Sequence, residues 1–124
     1  MENSKKHKII IAENDETSFF YYKEVISEFN VEIIWANNGK QAVELFTENQ
    51  DVSLIIMDIE MPILDGLDAT KEIRKLSSNV PIVVLTSYAL RTYKEKAEEL
   101  KADKFLNKPI RASELVAVVN EFLF

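Results

Sequence analysis

Apolar runs that stop abruptly at a polar residue constrain this chain most. Val52 to Met57 ends at Asp58, and Pro81 to Leu85 ends at Thr86. Runs this short and this apolar suit strands covered on both faces, as in a parallel sheet. Such strands must be joined by crossovers, and the segments between them have the right length and spacing for helices. Lys8 to Ala12 is a strand candidate closed by Glu13-Asn14-Asp15-Glu16, and a helix is expected over about 17–29. Val31 to Ala36 is β-rich, and Asn37-Asn38-Gly39 is turn chemistry. Residues 39–48 place Ala42, Val43 and Phe46 on one helical face. Further helices are expected over 67–76, 90–100 and 112–122, the last with Arg111 or Ser113 near its start. Phe105-Leu106 supplies a short fifth strand. Five strand–helix repeats predict an α/β, doubly wound, five-stranded parallel sheet with helices on both faces and right-handed crossovers.

The 124 residues suit one domain, read as 8–124 behind a polar leader, 1–7, with no internal linker. The start, MENSKKHK, has no apolar stretch after its charges and does not read as a signal peptide. His7, within that leader, reads as solvated, neither a ligand nor a phosphodonor. The chain has no cysteine, which removes disulfides and thiolate metal sites and agrees with a cytoplasmic setting. A net charge of −6 argues against direct nucleic-acid binding. No apolar run reaches the roughly 20 residues a membrane helix needs.

In open α/β sheets, ligands bind beyond the carboxyl ends of the strands. The expected strand ends carry Glu13-Asn14-Asp15, Asp58, Thr86-Ser87 and Lys108-Pro109. Each is ordinary alone, since Asp caps turns, Thr suits strands and Lys before Pro suits a solvated loop. Together, carboxylates, a hydroxyl and a lysine are the parts of phosphoryl transfer. Hard oxygens hold Mg²⁺, a carboxylate can attack phosphorus, and lysine and hydroxyl meet the phosphoryl oxygens.

These residues carry a resemblance over nearly the whole chain. Ile9 to Glu16, Ile55-Ile56-Met57-Asp58-Ile59-Glu60-Met61-Pro62-Ile63-Leu64-Asp65-Gly66, Pro81 to Ala89 and Phe105 to Ile110 resemble the receiver domains of two-component response regulators. The Met-Asp-x-x-Met-Pro-x-x-Asp-Gly string is highly specific. Glu13 to Glu16 and Trp35 to Lys40 resemble receivers attached to hybrid sensor kinases. The resemblance implies a flavodoxin-like strand order, 2-1-3-4-5. It implies that Asp58 accepts a phosphoryl group from a phosphohistidine on a sensor histidine kinase or histidine phosphotransfer domain. Glu13, Asp58, the backbone carbonyl of Glu60 and, as a weakened position, Asn14 would hold Mg²⁺. Thr86 would be the switch hydroxyl, Phe105 the switch aromatic, and Lys108 the phosphoryl partner behind a cis Lys108–Pro109 bond. Such a domain regulates an output domain or partner protein. It is not an enzyme in the usual sense, assisting only its own phosphorylation and dephosphorylation, with Glu60 and Tyr88 flanking the site.

Two positions depart from the family pattern. Asn14 stands where a second acid is usual, and losing one charge should weaken Mg²⁺ by about tenfold, ~1.4 kcal/mol. Asp15 could compensate by a one-residue shift; otherwise the site works weakly, or the domain is a degenerate pseudo-receiver that binds partners without phosphorylation. Lys101 stands where a glycine often caps the fourth helix, at a cost of about 1 kcal/mol if it turns left-handed. In Phe19-Phe20-Tyr21-Tyr22, the buried stripe Tyr22, Val25, Ile26 and Phe29 leaves Phe19 or Phe20 partly exposed, for packing or docking. The charged stretch 91–101 reads as a solvated face or an output surface. Two enzymes of this topology fit poorly. A flavin carrier needs a Gly-rich loop after strand 1, and the chain has only Gly39 and Gly66. Asp58-Ile59-Glu60 has the acid spacing of an aspartate-nucleophile phosphatase, but on the middle strand.

Overall fold

A computed structural model describes residues 6–88 and 90–124. The leader expected over 1–7 therefore lies mostly outside the described residues, as does Ala89 of the matched motif. The elements run β1 (His7–Ala12), α1 (Glu16–Ile26), β2 (Val31–Ala36), α2 (Gly39–Glu48), β3 (Leu54–Asp58), α3 (Gly66–Leu76), β4 (Ile82–Thr86), α4 (Arg91–Glu99), β5 (Lys104–Asn107) and α5 (Ala112–Leu123). The strands form one sheet in the order β2-β1-β3-β4-β5, and every neighbouring pair is parallel.

Alternation along the strands builds two cores. Ile10, Ala12, Ile55, Met57, Ile82 and Val84 point to one side and meet Ala42 and Phe46 of α2, Ala69 and Ile73 of α3 and Ala97 of α4. Ile9, Ile11, Leu54, Ile56, Val83 and Leu85 point to the other and meet Phe19, Tyr22 and Ile26 of α1 and Leu115, Val118 and Val119 of α5. β3 and β4 are buried at every position, as continuous apolar runs require.

Several boundaries differ from the sequence reading. α1 ends at Ile26 rather than near Phe29, because the Ser27 hydroxyl takes the Glu24 carbonyl and the Phe29 amide turns back to Ile26. β3 starts at Leu54, since the Val52 amide closes a turn onto Asn49. His7 is a correction: it opens β1, its Nδ1 lies 2.8 Å from the Ser53 hydroxyl, and its ring meets Phe124 edge-on. Of the paired phenylalanines, Phe20 is the exposed one, whereas Phe19 is buried and stacks on Trp35 at 4.3 Å.

Lys101 does adopt the left-handed conformation, with φ 66°. The Ala102 amide bonds Ala97 and the Lys101 amide bonds Glu98, the paired closure that usually selects glycine. Arg74 supports this turn from α3. Its guanidinium donates to the Lys101 carbonyl (2.8 Å), the Val80 carbonyl (2.8 Å) and the Asp103 carboxylate (3.2 Å).

Candidate functional site

The strand order reverses at β1, whose neighbours are β2 and β3, and the crevice opens beyond the carboxyl ends of β1 and β3. Glu13 follows β1 and Asp58 ends β3, so both carboxylates arrive side by side. Both are almost wholly buried, at 1% and 2% exposure. Lys108, just past β5, bridges them, with its ammonium 3.0 Å from Glu13 Oε1 and 3.1 Å from Asp58 Oδ2. The Lys108–Pro109 peptide is cis, as expected. The Lys108 amide donates to the Thr86 carbonyl at 2.8 Å, tying the loop to β4.

Two buried carboxylates share one ammonium, which leaves excess negative charge. Burial, then the Glu13 charge, pushes the Asp58 carboxyl up to about 7 against the opposing pull of Lys108. Burial draws the Lys108 ammonium down, but Asp58 and Glu13 outweigh it and hold that ammonium above its ordinary value. Tyr22 lies close enough to sense all three groups, and burial raises its phenol to about 12.

Local structure fixes each carboxylate. The Glu13 amide donates to Ala36, the Trp35 indole donates to the Glu13 carbonyl at 2.9 Å, and Glu13 Oε2 accepts from the Asp15 amide at 3.0 Å. Below Asp58, Gly66 opens α3 so tightly that an added Cβ would fall 2.1 Å from the Asp58 carbonyl oxygen. Only glycine lets α3 start there.

The expected residues do not all converge equally. Glu13, Asp58 and Lys108 are in direct contact. The Thr86 hydroxyl donates to Glu60 Oε2 and accepts from the Tyr88 amide. Phe105 is half-buried on β5, against the core beneath α4. Asn14 is exposed. Asp15 does not take its place: its carboxylate caps α1, accepting from the Ser18 amide (2.9 Å) and hydroxyl (2.7 Å), and those bonds hold it below its usual range. Among the described residues, no group of three His, Cys, Asp or Glu side chains is disposed to hold a metal ion. The remaining set of Glu13, Asp58, the Asn14 amide and the Glu60 backbone carbonyl is nonetheless all hard oxygen. Burial and then the Glu13 charge raise the Asp58 carboxyl, so a cation beside it would be favoured and the set fits Mg²⁺.

Sequence reasoning missed two contributors. The sequence reading gives Glu60 a backbone ligand and a place flanking the site, but not the contacts of its side chain, which accepts from both the Thr86 hydroxyl and the Ser87 amide, the latter at 2.9 Å. Trp35, whose indole anchors the Glu13 backbone, carried a faint signal: a polar-tipped aromatic at the end of a strand beside the acidic loop.

Residues 9–120 match the family model described as the response regulator receiver domain. The chain is 35% identical over 121 residues to a hybrid signal transduction histidine kinase I of Dictyostelium discoideum, covering 91% of this chain and 7% of that protein. It is 29% identical to the chemotaxis protein CheY of Halobacterium salinarum, covering 94% of this chain and 96% of that one. The REC domain of AraT, a response regulator from Geobacillus stearothermophilus, superposes with a TM-score of 0.83 at 32% identity, covering 94% of this chain and 92% of that one. This chain belongs to the response regulator receiver domain family, the signalling module of two-component phosphorelays. The family is a signalling domain rather than a conventional enzyme and generally binds Mg²⁺ at its phosphorylation site. The chain spans only 7% of the length of the Dictyostelium hybrid kinase and 14% of that of the autoinducer 1 sensor kinase/phosphatase LuxN of Vibrio harveyi. Among the described residues no helix is long and apolar enough to cross a membrane.

Proposed function

We propose that Asp58 is the phospho-acceptor of this receiver domain. The observation that carries the reading is the Lys108 ammonium, 3.1 Å from the Asp58 carboxylate and 3.0 Å from Glu13 at the reversal of strand order. Asp58 Oδ2 faces Lys108, while Oδ1 accepts only a long 3.3 Å bond from the Glu60 amide and is the freer nucleophile. An Asp58 oxygen attacks the phosphorus of a phosphohistidine. The new P–O bond forms as the P–N bond breaks, and the departing imidazole nitrogen takes a proton from solvent. Lys108 meets the incoming negative charge, and the Thr86 hydroxyl turns to donate to the phosphoryl oxygens. Phe105 then closes toward the space that Thr86 leaves. Glu13, Asp58, the Glu60 carbonyl and Asn14 would hold Mg²⁺, which when bound supplies positive charge to the phosphoryl oxygens.

The donor is a sensor histidine kinase or a histidine phosphotransfer domain, and the receiver works in the cytoplasm on an output domain or a partner protein. The domain assists only its own phosphorylation and dephosphorylation. Mass spectrometry after incubation with Mg²⁺ and acetyl phosphate tests this. Wild type should gain one phosphoryl group and Asp58→Ala none. No gain in wild type would instead support a pseudo-receiver.

A further inference from the structure

The Glu60 side chain has no part in the chemistry above, yet it sits on the donors that chemistry needs. One carboxylate oxygen accepts the Thr86 hydroxyl, and the other accepts the Ser87 amide at 2.9 Å. Thr86 is wholly buried, so its hydroxyl has few other partners; it also lies 3.2 Å from the Tyr88 carbonyl. Glu60 lies two residues beyond Asp58, its own amide bonded to Asp58 Oδ1. A carboxylate and a phosphoryl group are both planar or trigonal arrays of anionic oxygens that recruit the same donors. Two adjacent donors at the end of β4 are therefore already satisfied by an anion belonging to the protein.

We infer that Glu60 is an intramolecular stand-in for the phosphoryl group, holding the Thr86 hydroxyl and the Ser87 amide in the resting state and releasing them when Asp58 is phosphorylated. This rests on the proposed acceptor role of Asp58. Glu60 is thus a positioning residue. It acts through Thr86 and sets the free-energy gap between resting and switched forms. A ligand shifts such an equilibrium only by its differential affinity for the two forms, so part of the phosphoryl group's binding free energy goes into displacing Glu60. The Glu60 backbone carbonyl, a candidate Mg²⁺ ligand, is unchanged by side-chain substitution.

The test is calorimetric titration of the whole chain with beryllofluoride in the presence of Mg²⁺. Beryllofluoride mimics a phosphoryl group on a carboxylate. Glu60→Ala should bind it roughly tenfold more tightly than wild type, the scale of one hydrogen bond to a charged group. In a Thr86→Val background the gain from Glu60→Ala should shrink to about threefold or less, because one donor is no longer there to be freed. Glu60→Gln, which keeps an acceptor oxygen without the charge, should fall between wild type and Glu60→Ala. Three results overturn the inference alone: equal affinity in wild type and Glu60→Ala, an undiminished gain in the Thr86→Val background, or Glu60→Gln binding as tightly as Glu60→Ala. The last two assign the effect to lost charge repulsion. Uptake by neither wild type nor Glu60→Ala overturns it together with the acceptor role of Asp58.

Discussion

Replacing Asp58 with asparagine should make the metal-free protein more stable at pH 8 and leave it little changed near pH 4. Asp58 is buried beside Glu13, and burial together with that neighbouring charge raises its carboxyl from an ordinary 3.8 to about 7. The unfolded chain therefore releases this proton near pH 4 while the folded chain keeps it until about pH 7. Between those values the folded state binds more protons, so stability falls as pH rises. The contribution is fully present below the unfolded value and lost once pH passes the folded one. A rise of this size corresponds to at most about 4 kcal/mol. Relaxation of the folded site reduces it, and about 2 kcal/mol is the expected loss. Asparagine cannot ionise, yet its carbonyl still accepts from the Lys108 ammonium. The assay is urea unfolding from pH 4 to 8 in EDTA, for wild type and Asp58→Asn. Wild type should decline across this range relative to the variant. Adding Mg²⁺ should restore wild type at pH 8 far more than the variant. Parallel profiles, or a variant less stable than wild type at pH 8, would refute the charge-excess account of the site.

Three further outcomes concern the scaffold. Lys101→Gly should raise the urea midpoint by the equivalent of about 0.5–1 kcal/mol, because φ 66° strains a side chain but not glycine. Ile63→Gly should act in the same direction, since Ile63 has φ 71° and is 77% exposed, so little packing is lost. Arg74→Met should cost about 2–3 kcal/mol in the same assay, since it removes the donors to the Lys101 and Val80 carbonyls and leaves the Asp103 carboxylate with the Ile82 amide but without its guanidinium partner.

The parts of the molecule legible in sequence were those fixed by periodicity. The five strands follow from short apolar runs, and β2 and α2 fall on their expected residues because sharp turn chemistry, Asn37-Asn38-Gly39, separates them. Asn38 caps α2 by accepting from the Gln41 amide, so the same residues end one element and start the next. α1 was less legible at its end. The apolar stripe continues through Phe29, which stays half-buried against the second core after the helix has stopped. Packing, not helical periodicity, keeps it inside. His7 was misread because a lone histidine in a basic leader carries no periodic signal, and its partners Ser53 and Phe124 come from distant segments. The carboxylate pair and lysine of the site could be assembled from strand ends alone. The side chain of Glu60 could not, because its role depends on the conformation of the β4 turn, which no local pattern encodes.

Asn14 and Glu60 bear on the same balance from opposite sides. Asn14, at the proposed cation position, brings no charge that would repel Asp58 or attract a cation. The site still holds two buried carboxylates against one ammonium, so it stays short of positive charge. Glu60 adds a further anion nearby, but that anion is held by the Thr86 hydroxyl and the Ser87 amide. An incoming phosphoryl group must therefore compete with a carboxylate for its donors and with two others for Lys108. Both contests raise the free energy of the modified form relative to a site with free donors. At the proposed site Mg²⁺ would lower it by neutralising Glu13 and Asp58 and leaving Lys108 available. On the proposed roles, the resting state would stay dominant and switching would depend on cation and phosphoryl group together, because neither alone would displace Glu60 and release Lys108.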